Sequence, residues 1–183
     1  MTEKSKKHTV IICDLDNCLS DDRWRTGLID HTKPVDSRYE TYHDHAEEDQ
    51  PNKALLSFLQ FWLSFPENRL FFLTARPERI RKQTRLWLER LGLQKSSLFM
   101  RDDKNFDPSP KFKVETLRKL APFTSLKRED IATTIDDRTD VLAEMVAAFS
   151  VPTFRFSISG ASESQLQLGF ERIISEGAKP GAD

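Results

Sequence analysis

Cysteine is scarce in this chain of 183 residues, with Cys13 and Cys18 the only two. Two thiols so close together cannot staple a small secreted domain, so the sequence excludes a disulfide scaffold and fits a reducing, cytoplasmic compartment. A long hydrophobic run is lacking too. The most apolar stretch, 54–65, falls well short of the roughly 20 residues that cross a bilayer. Ser57, Gln60 and Ser64 give it a narrow polar stripe at helical spacing, so it reads as a helix buried on most sides, with no membrane partner expected. The apolar run VIIC after the basic amino terminus is too brief for a signal-peptide core, and export is not expected. Neither sign of charge dominates: the net charge of -1 removes any bulk attraction to nucleic acid or an anionic surface, and a polyanion would need a local basic patch. No Gly-x-x-x-x-Gly-Lys-Ser/Thr loop occurs, so use of a nucleoside triphosphate is not expected.

What is present suits a globular domain. Hydrophobic residues make up 38% and charged residues 31%, with 13 Phe and 3 Trp as large core formers, enough for one domain over 1–183. Short apolar runs alternate with amphipathic segments. The pattern predicts strands over 10–13, 69–73, 97–100, 131–135 and 151–156. Helices are predicted over 53–65, about 77–91 (opened by Pro77 and closed by Gly92), 112–120 and 139–149, with a loop over 103–110. Such a series implies an α/β fold, a parallel sheet flanked by helices on both faces, whose sites form at the carboxyl ends of the strands. The tail, 157–183, reads as polar loop, a helix near 164–175 and a frayed Gly/Pro end.

Three polar clusters fall just past three of the expected strands: Asp14-Leu15-Asp16, Thr74-Ala75-Arg76 and Asp136-Asp137-Arg138. A parallel sheet brings those ends together. Buried carboxylates are costly unless a cation or hydrogen bonds compensate them. Two acidic strand ends therefore suggest a hard cation such as Mg2+, which takes oxygen ligands and favours phosphate-bearing substrates.

On these residues the chain resembles the haloacid dehalogenase superfamily, whose first motif is Asp-x-Asp, followed by a Thr or Ser, a Lys and an acidic pair. Asp14 and Asp16, Thr74, Lys113 and Asp136/Asp137 match in order, over about 9–156. The resemblance implies a Rossmannoid core and a Mg2+-dependent phosphatase. Asp14 would be the nucleophile that forms an aspartyl phosphate, and Asp16 the general acid and base, its pKa raised by nearby carboxylates. Thr74, Ala75 and neighbouring N–H groups, with Lys113, would bind the phosphoryl oxygens. Asp14, the Asp16 backbone carbonyl and Asp136 or Asp137 would hold Mg2+. The family's usual Gly-Thr after the first motif is replaced by Asn17-Cys18. Asn tolerates the left-handed backbone that Gly serves, and Cys18 reads as a buried packing residue. Lys111 is an alternative to Lys113, which is preferred because it shares a helix face with Leu117.

Within the superfamily the chain is similar to the 3′-phosphatase domain of phage-type polynucleotide kinase-phosphatases, on Arg25, on Arg76 directly after Thr-Ala, on the Trp-bearing helix that follows and on the run 135–139. That likeness implies that Arg25 and Arg76 contact the substrate phosphate or its flanking backbone, and that the substrate is a phosphorylated nucleic-acid end or a nucleotide. Segment 21–52 is expected as a small, polar partial cap, leaving room for an extended substrate. Arg79, Arg81, Lys82, Arg85 and Arg90 could guide a phosphodiester backbone or form a solvated face. The run Tyr42-His43-Asp44-His45, with Glu47, Glu48 and Asp49, could bind metal, but a flexible acidic loop is the expected reading. Two alternatives stand beside the end-processing reading. A 5′(3′)-deoxyribonucleotidase would stack its base on Trp24, Tyr39 or Tyr42, and a catalytically idle phosphate-binding module would reuse the fold.

Overall fold

The computed structural model describes residues 9–158, apart from Asp36 and Ser125, together with the backbone of 171–173. In chain order the elements are β1 (Thr9–Cys13), β2 (Ser20–Asp21), α1 (Glu40–Asp44), β3 (Gln50–Pro51), α2 (Lys53–Leu63), β4 (Asn68–Pro77), α3 (Arg81–Arg90), β5 (Ser97–Arg101), α4 (Ser109–Thr124), β6 (Ile131–Asp136), α5 (Thr139–Phe149), β7 (Thr153–Arg155) and β8 (Glu171–Ile173). The main sheet runs β5-β4-β1-β6-β7-β8. All its pairings are parallel except the last, where β8 runs antiparallel to β7.

β1 lies at the centre because it is apolar on both faces. Its alternation sends Ile11 and Cys13 to one side, where α2 and α3 supply Leu55, Leu59, Trp87 and Leu88. Val10 and Ile12 point to the other, against Phe112 and Leu117 of α4 and Val141 and Met145 of α5. Burial of each such Leu, Ile or Phe stabilises the fold by about 1.5–3 kcal/mol, so both helical layers are held by the same strand. The carboxyl ends of β1, β4 and β6 consequently meet at one edge of the core.

Several boundaries differ from the sequence reading. β4 continues through Thr74, Ala75 and Arg76 to Pro77, with a register shift after Leu73. Pro77, expected to open a helix, is extended (φ -70, ψ 150), and α3 starts only after a 3-10 turn over Glu78–Ile80. Gly92 at φ +72 does follow its end, a conformation that a side chain disfavours. α4 is longer than expected at both ends, with Pro110 in its first turn, where a missing N–H costs nothing. Of the helix expected near 164–175, residues 171–173 are a strand that pairs with the otherwise open edge of β7, and the remainder lies outside the described residues.

The insert after β1 is closed by the antiparallel pairing of β2 with β3 and by a 2.7 Å bond from Asn52 N–H to the Leu19 carbonyl. Between these ends lie a 3-10 turn (Arg23–Leu28), α1 and a second turn (Ala46–Glu48). Asn52 then caps α2, its side-chain oxygen accepting from Leu55 N–H. No helix among the described residues is long and apolar enough to cross a membrane.

Candidate active site

Asp14 follows the last residue of β1, and its backbone N–H donates to the Ile135 carbonyl of β6 at 2.9 Å. That bond sets the Asp14 carboxylate beside the acidic end of β6. Lys113, buried on the first turns of α4, places Nζ 2.9 Å from Asp14 Oδ1 and 2.7 Å from Asp136 Oδ2. Asp14, Asp136 and Asp137 each offer a carboxylate oxygen within 4.8 Å of the others. Lys111, by contrast, is exposed and pairs with Asp107 at 2.8 Å. Of the two lysines, Lys113 is therefore the one in the cluster.

Electrostatics follow from this crowding. Burial pushes the Asp14 carboxyl well above the usual carboxylate range; Lys113 pulls it down, and Asp136 and Asp137 push it further up. Asp137 is pushed up to about 6 by burial, with Asp136 adding to the rise against the hydrogen bond from Asn17. Burial would lower Lys113, but Asp136 and Asp14 outweigh it and hold the ammonium charged. Three carboxylates against one ammonium leave an oxygen-lined pocket short of positive charge. A hard divalent cation fits that donor set.

Asn17 has the left-handed backbone expected of it (φ 54), and its side-chain amide donates to Asp137 Oδ2 at 2.9 Å and to Ser157 Oγ at 3.0 Å. The residue that stands for the family's Gly thus also orients an acid. Cys18 is fully buried in the core, as its packing reading requires. Thr74 is buried at the edge of the site, its hydroxyl oxygen accepting from Arg76 N–H at 3.2 Å, which leaves the hydroxyl proton for another acceptor.

Asp16 departs from expectation in both partners and charge. Arg25 Nη2 bonds its Oδ1, and Arg76 reaches the same oxygen through Nε at 3.0 Å and Nη2 at 2.7 Å. Burial raises the Asp16 pKa, but the Arg76 and Arg25 guanidiniums outweigh it and hold the carboxyl well below the usual range. The expected upward shift from neighbouring carboxylates is thus reversed. Arg25 and Arg76, expected on the substrate, are completely buried behind Asp16, Arg25 brought there by the insert and Arg76 by the end of β4. Arg76 Nη1 alone of that guanidinium has no partner.

Behind the arginines lies Asp49, which the sequence reading placed in a flexible acidic loop. It is buried, accepting from Trp24 Nε1 (2.9 Å), Arg25 Nε (2.8 Å), Arg25 Nη2 (2.7 Å), Arg76 Nη2 (3.1 Å) and Ser20 Oγ. The neighbouring His and Asp residues of α1 gather no metal site: among the described residues the only cluster of that kind is Asp14, Asp136 and Asp137. Tyr42, one of three aromatics considered for stacking, is buried with its ring under Arg25, whereas Trp24 and Tyr39 are exposed. The basic helix is largely committed internally. Arg79 pairs with Asp44, Arg81 with Glu78, Arg85 bonds the Ser96 carbonyl and Arg90 the Glu47 carbonyl.

No family model and no curated protein matches the chain. Solved structures do match in fold. A chain of the Pnkp1/Rnl/Hen1 RNA repair complex superposes with a TM-score of 0.62 at 19% identity, covering 86% of this chain and 46% of that one. This chain thus spans less than half the length of that neighbour. A haloacid dehalogenase-like hydrolase from Streptococcus pneumoniae gives 0.52 at 13% identity, covering 81% and 84% of the two chains. The class C acid phosphatase from Bacillus anthracis, with tungstate bound, gives 0.54 at 20% identity, covering 75% and 55%. The fold is the haloacid dehalogenase-like α/β fold.

Proposed function

We propose that the protein is a Mg2+-dependent phosphomonoesterase in which Asp14 is the nucleophile. The observation that carries this reading is the setting of Asp14 at the end of the central strand, with one oxygen held at 2.9 Å by Lys113 and the Asp136 and Asp137 carboxylates alongside. A carboxylate so placed attacks phosphorus in line, the bond to the leaving oxygen breaks, and Asp16 delivers a proton to that oxygen. Water then attacks phosphorus, gives its proton to Asp16 and releases phosphate, restoring Asp14. The arginines favour ionised Asp16, which suits the second half. For the first half, an arriving phosphate dianion adds negative charge that opposes them.

Lys113 and the Thr74 hydroxyl are the groups for phosphoryl oxygens, where transition-state charge must be stabilised. Mg2+ held by Asp14, Asp136, Asp137 and the Asp16 main-chain carbonyl would supply the charge neutralisation that admits an anion among carboxylates. The presence of both Asp14 and Asp16 argues against an idle phosphate-binding module.

The substrate reading is a 3′-phosphate at a nucleic-acid or nucleotide end. It rests on the small insert, the resemblance at Arg25 and Arg76, and a fold shared with a chain from an RNA repair complex. Exposed Trp24 and Tyr39 on the insert offer faces for a base and equally suit the alternative, a 5′(3′)-deoxyribonucleotidase. Phosphate release from a 3′-phosphorylated oligonucleotide, compared with 3′- and 5′-mononucleotides, decides between them. A kcat/KM that rises with length supports the end-processing enzyme, and a preference for 5′-monophosphates with no gain from length supports the nucleotidase.

A further inference from the structure

Asp49 belongs to neither the resemblance nor the acidic cluster, yet it organises the surroundings of Asp16. Every described hydrogen bond to the Asp16 carboxylate lands on Oδ1, from Arg25 and Arg76. Its side chain keeps 19% exposure, whereas both arginine side chains have none. One oxygen is anchored and the other is left for proton transfer. Two guanidiniums crowded on a single oxygen repel each other, and a second anion between them is what holds such an arrangement.

Asp49 is that anion. Its Oδ2 takes Arg25 Nη2 at 2.7 Å and Arg76 Nη2 at 3.1 Å, the same two nitrogens that reach Asp16. Its Oδ1 takes Arg25 Nε at 2.8 Å and Trp24 Nε1 at 2.9 Å. Its position is fixed in turn from the core and the insert. The Asp49 carbonyl accepts from Trp87 Nε1 of α3 at 2.9 Å, and Ser20 Oγ, on β2 where it pairs with β3, donates to Oδ2. Ser20 Oγ also accepts from Arg76 Nη2 at 2.8 Å, so hydroxyl, carboxylate and guanidinium form a closed ring.

We propose that Asp49 is a positioning residue for proton transfer: it holds Arg25 and Arg76 so that they fix the Asp16 carboxylate with one oxygen anchored and the other facing the leaving group. This inference rests on the phosphatase reading, in which Asp16 protonates the leaving oxygen. It concerns a residue with no described hydrogen bond to Asp14, Thr74 or Lys113, and its signature is dependence on the leaving group. An alkoxide needs a proton as the phosphorus–oxygen bond breaks, whereas p-nitrophenolate leaves without one.

The test is single-turnover release of leaving group by the full chain with Mg2+, comparing an alkyl phosphate that the wild type hydrolyses with p-nitrophenyl phosphate. Asp49→Asn should lose about thirtyfold or more on the alkyl phosphate, within the range of general acid catalysis, but no more than about threefold on the aryl ester, with the half-saturating enzyme concentration little changed. Ser20→Ala keeps every charge and removes the hydroxyl from the ring, with both of its hydrogen bonds. It should show the same selectivity at about fivefold on the alkyl phosphate, and it decides the matter should Asp49→Asn fail to fold. Equal losses on both substrates, or no loss on either, would overturn the inference. Failure of the phosphatase reading looks different: the wild type itself would release phosphate from neither ester.

Discussion

Lys113 Nζ is held between Asp14 Oδ1 at 2.9 Å and Asp136 Oδ2 at 2.7 Å, so one ammonium bridges the ends of two strands. The bridge both screens two buried acids and presents a cation where phosphoryl charge would develop. Lys113→Met should lower kcat by about a hundredfold or more. It should also destabilise the Mg2+-free protein by about 3 kcal/mol, because removing one partner of a buried pair leaves the others uncompensated. Part of that stability should return with Mg2+. Lys111→Ala, which alters only an exposed pair with Asp107, should change neither rate nor melting temperature. Assays and thermal melts of the two variants check this, and equal effects would reassign the lysine.

Protons would compete with a bound Mg2+ for the same carboxylates. Asp137 is pushed up to about 6 by burial and by Asp136, above its value in the unfolded chain. Its contribution to the stability of the metal-free fold is therefore fully present below the ordinary carboxylate range and lost as pH rises through about 6. Asp14 shifts in the same direction. His43 acts oppositely: burial lowers it to about 4, so it costs stability as pH falls below the ordinary imidazole value. His43 is not among the proposed ligands, so that cost enters both the metal-free and the metal-loaded protein. The rise in melting temperature on adding Mg2+ should thus be large at about pH 8 and shrink towards about pH 5. A shift constant across that range would remove Asp14 and Asp137 as ligands.

The arginines of α3 are tied to the protein itself, which separates them from Arg76. Arg90→Ala releases only the Glu47 carbonyl and should leave kcat/KM for an oligonucleotide, and its salt dependence, unchanged. Arg76→Ala removes two bonds to Asp16, one to Asp49 and one to Ser20, and should cost about a hundredfold. Salt titrations of both variants distinguish a guiding helix, which would flatten the slope in Arg90→Ala, from an internal one.

The order Asp14/Asp16, Thr74, Lys113 and Asp136/Asp137 was legible because each group sits at the end of an apolar run or on the first turns of a helix, positions that periodicity locates. Lys113 was preferred over Lys111 by its face, and the fold places it between two acids. Asp49 was not legible. At the end of Glu47-Glu48-Asp49 it has the composition of a solvated loop, and its burial comes from Arg25 and Arg76, which reach it only through the folded insert. The charge state of Asp16 was misread for the same reason: its chain neighbours are acidic, but its spatial neighbours are two guanidiniums. Pro77 fits the start of a helix by composition, yet pairing of β4 with β5 as far as Arg101 keeps it extended.

The central claim is that phosphate passes through Asp14. Borohydride quenching during turnover, followed by peptide mapping, reads this directly, because reduction converts an aspartyl phosphate to homoserine. The account predicts homoserine at position 14, dependent on both substrate and Mg2+ and absent from Asp14→Asn, which should fold normally and release no phosphate. Turnover that proceeds with Asp14 unmodified, or that survives in Asp14→Asn, would contradict it.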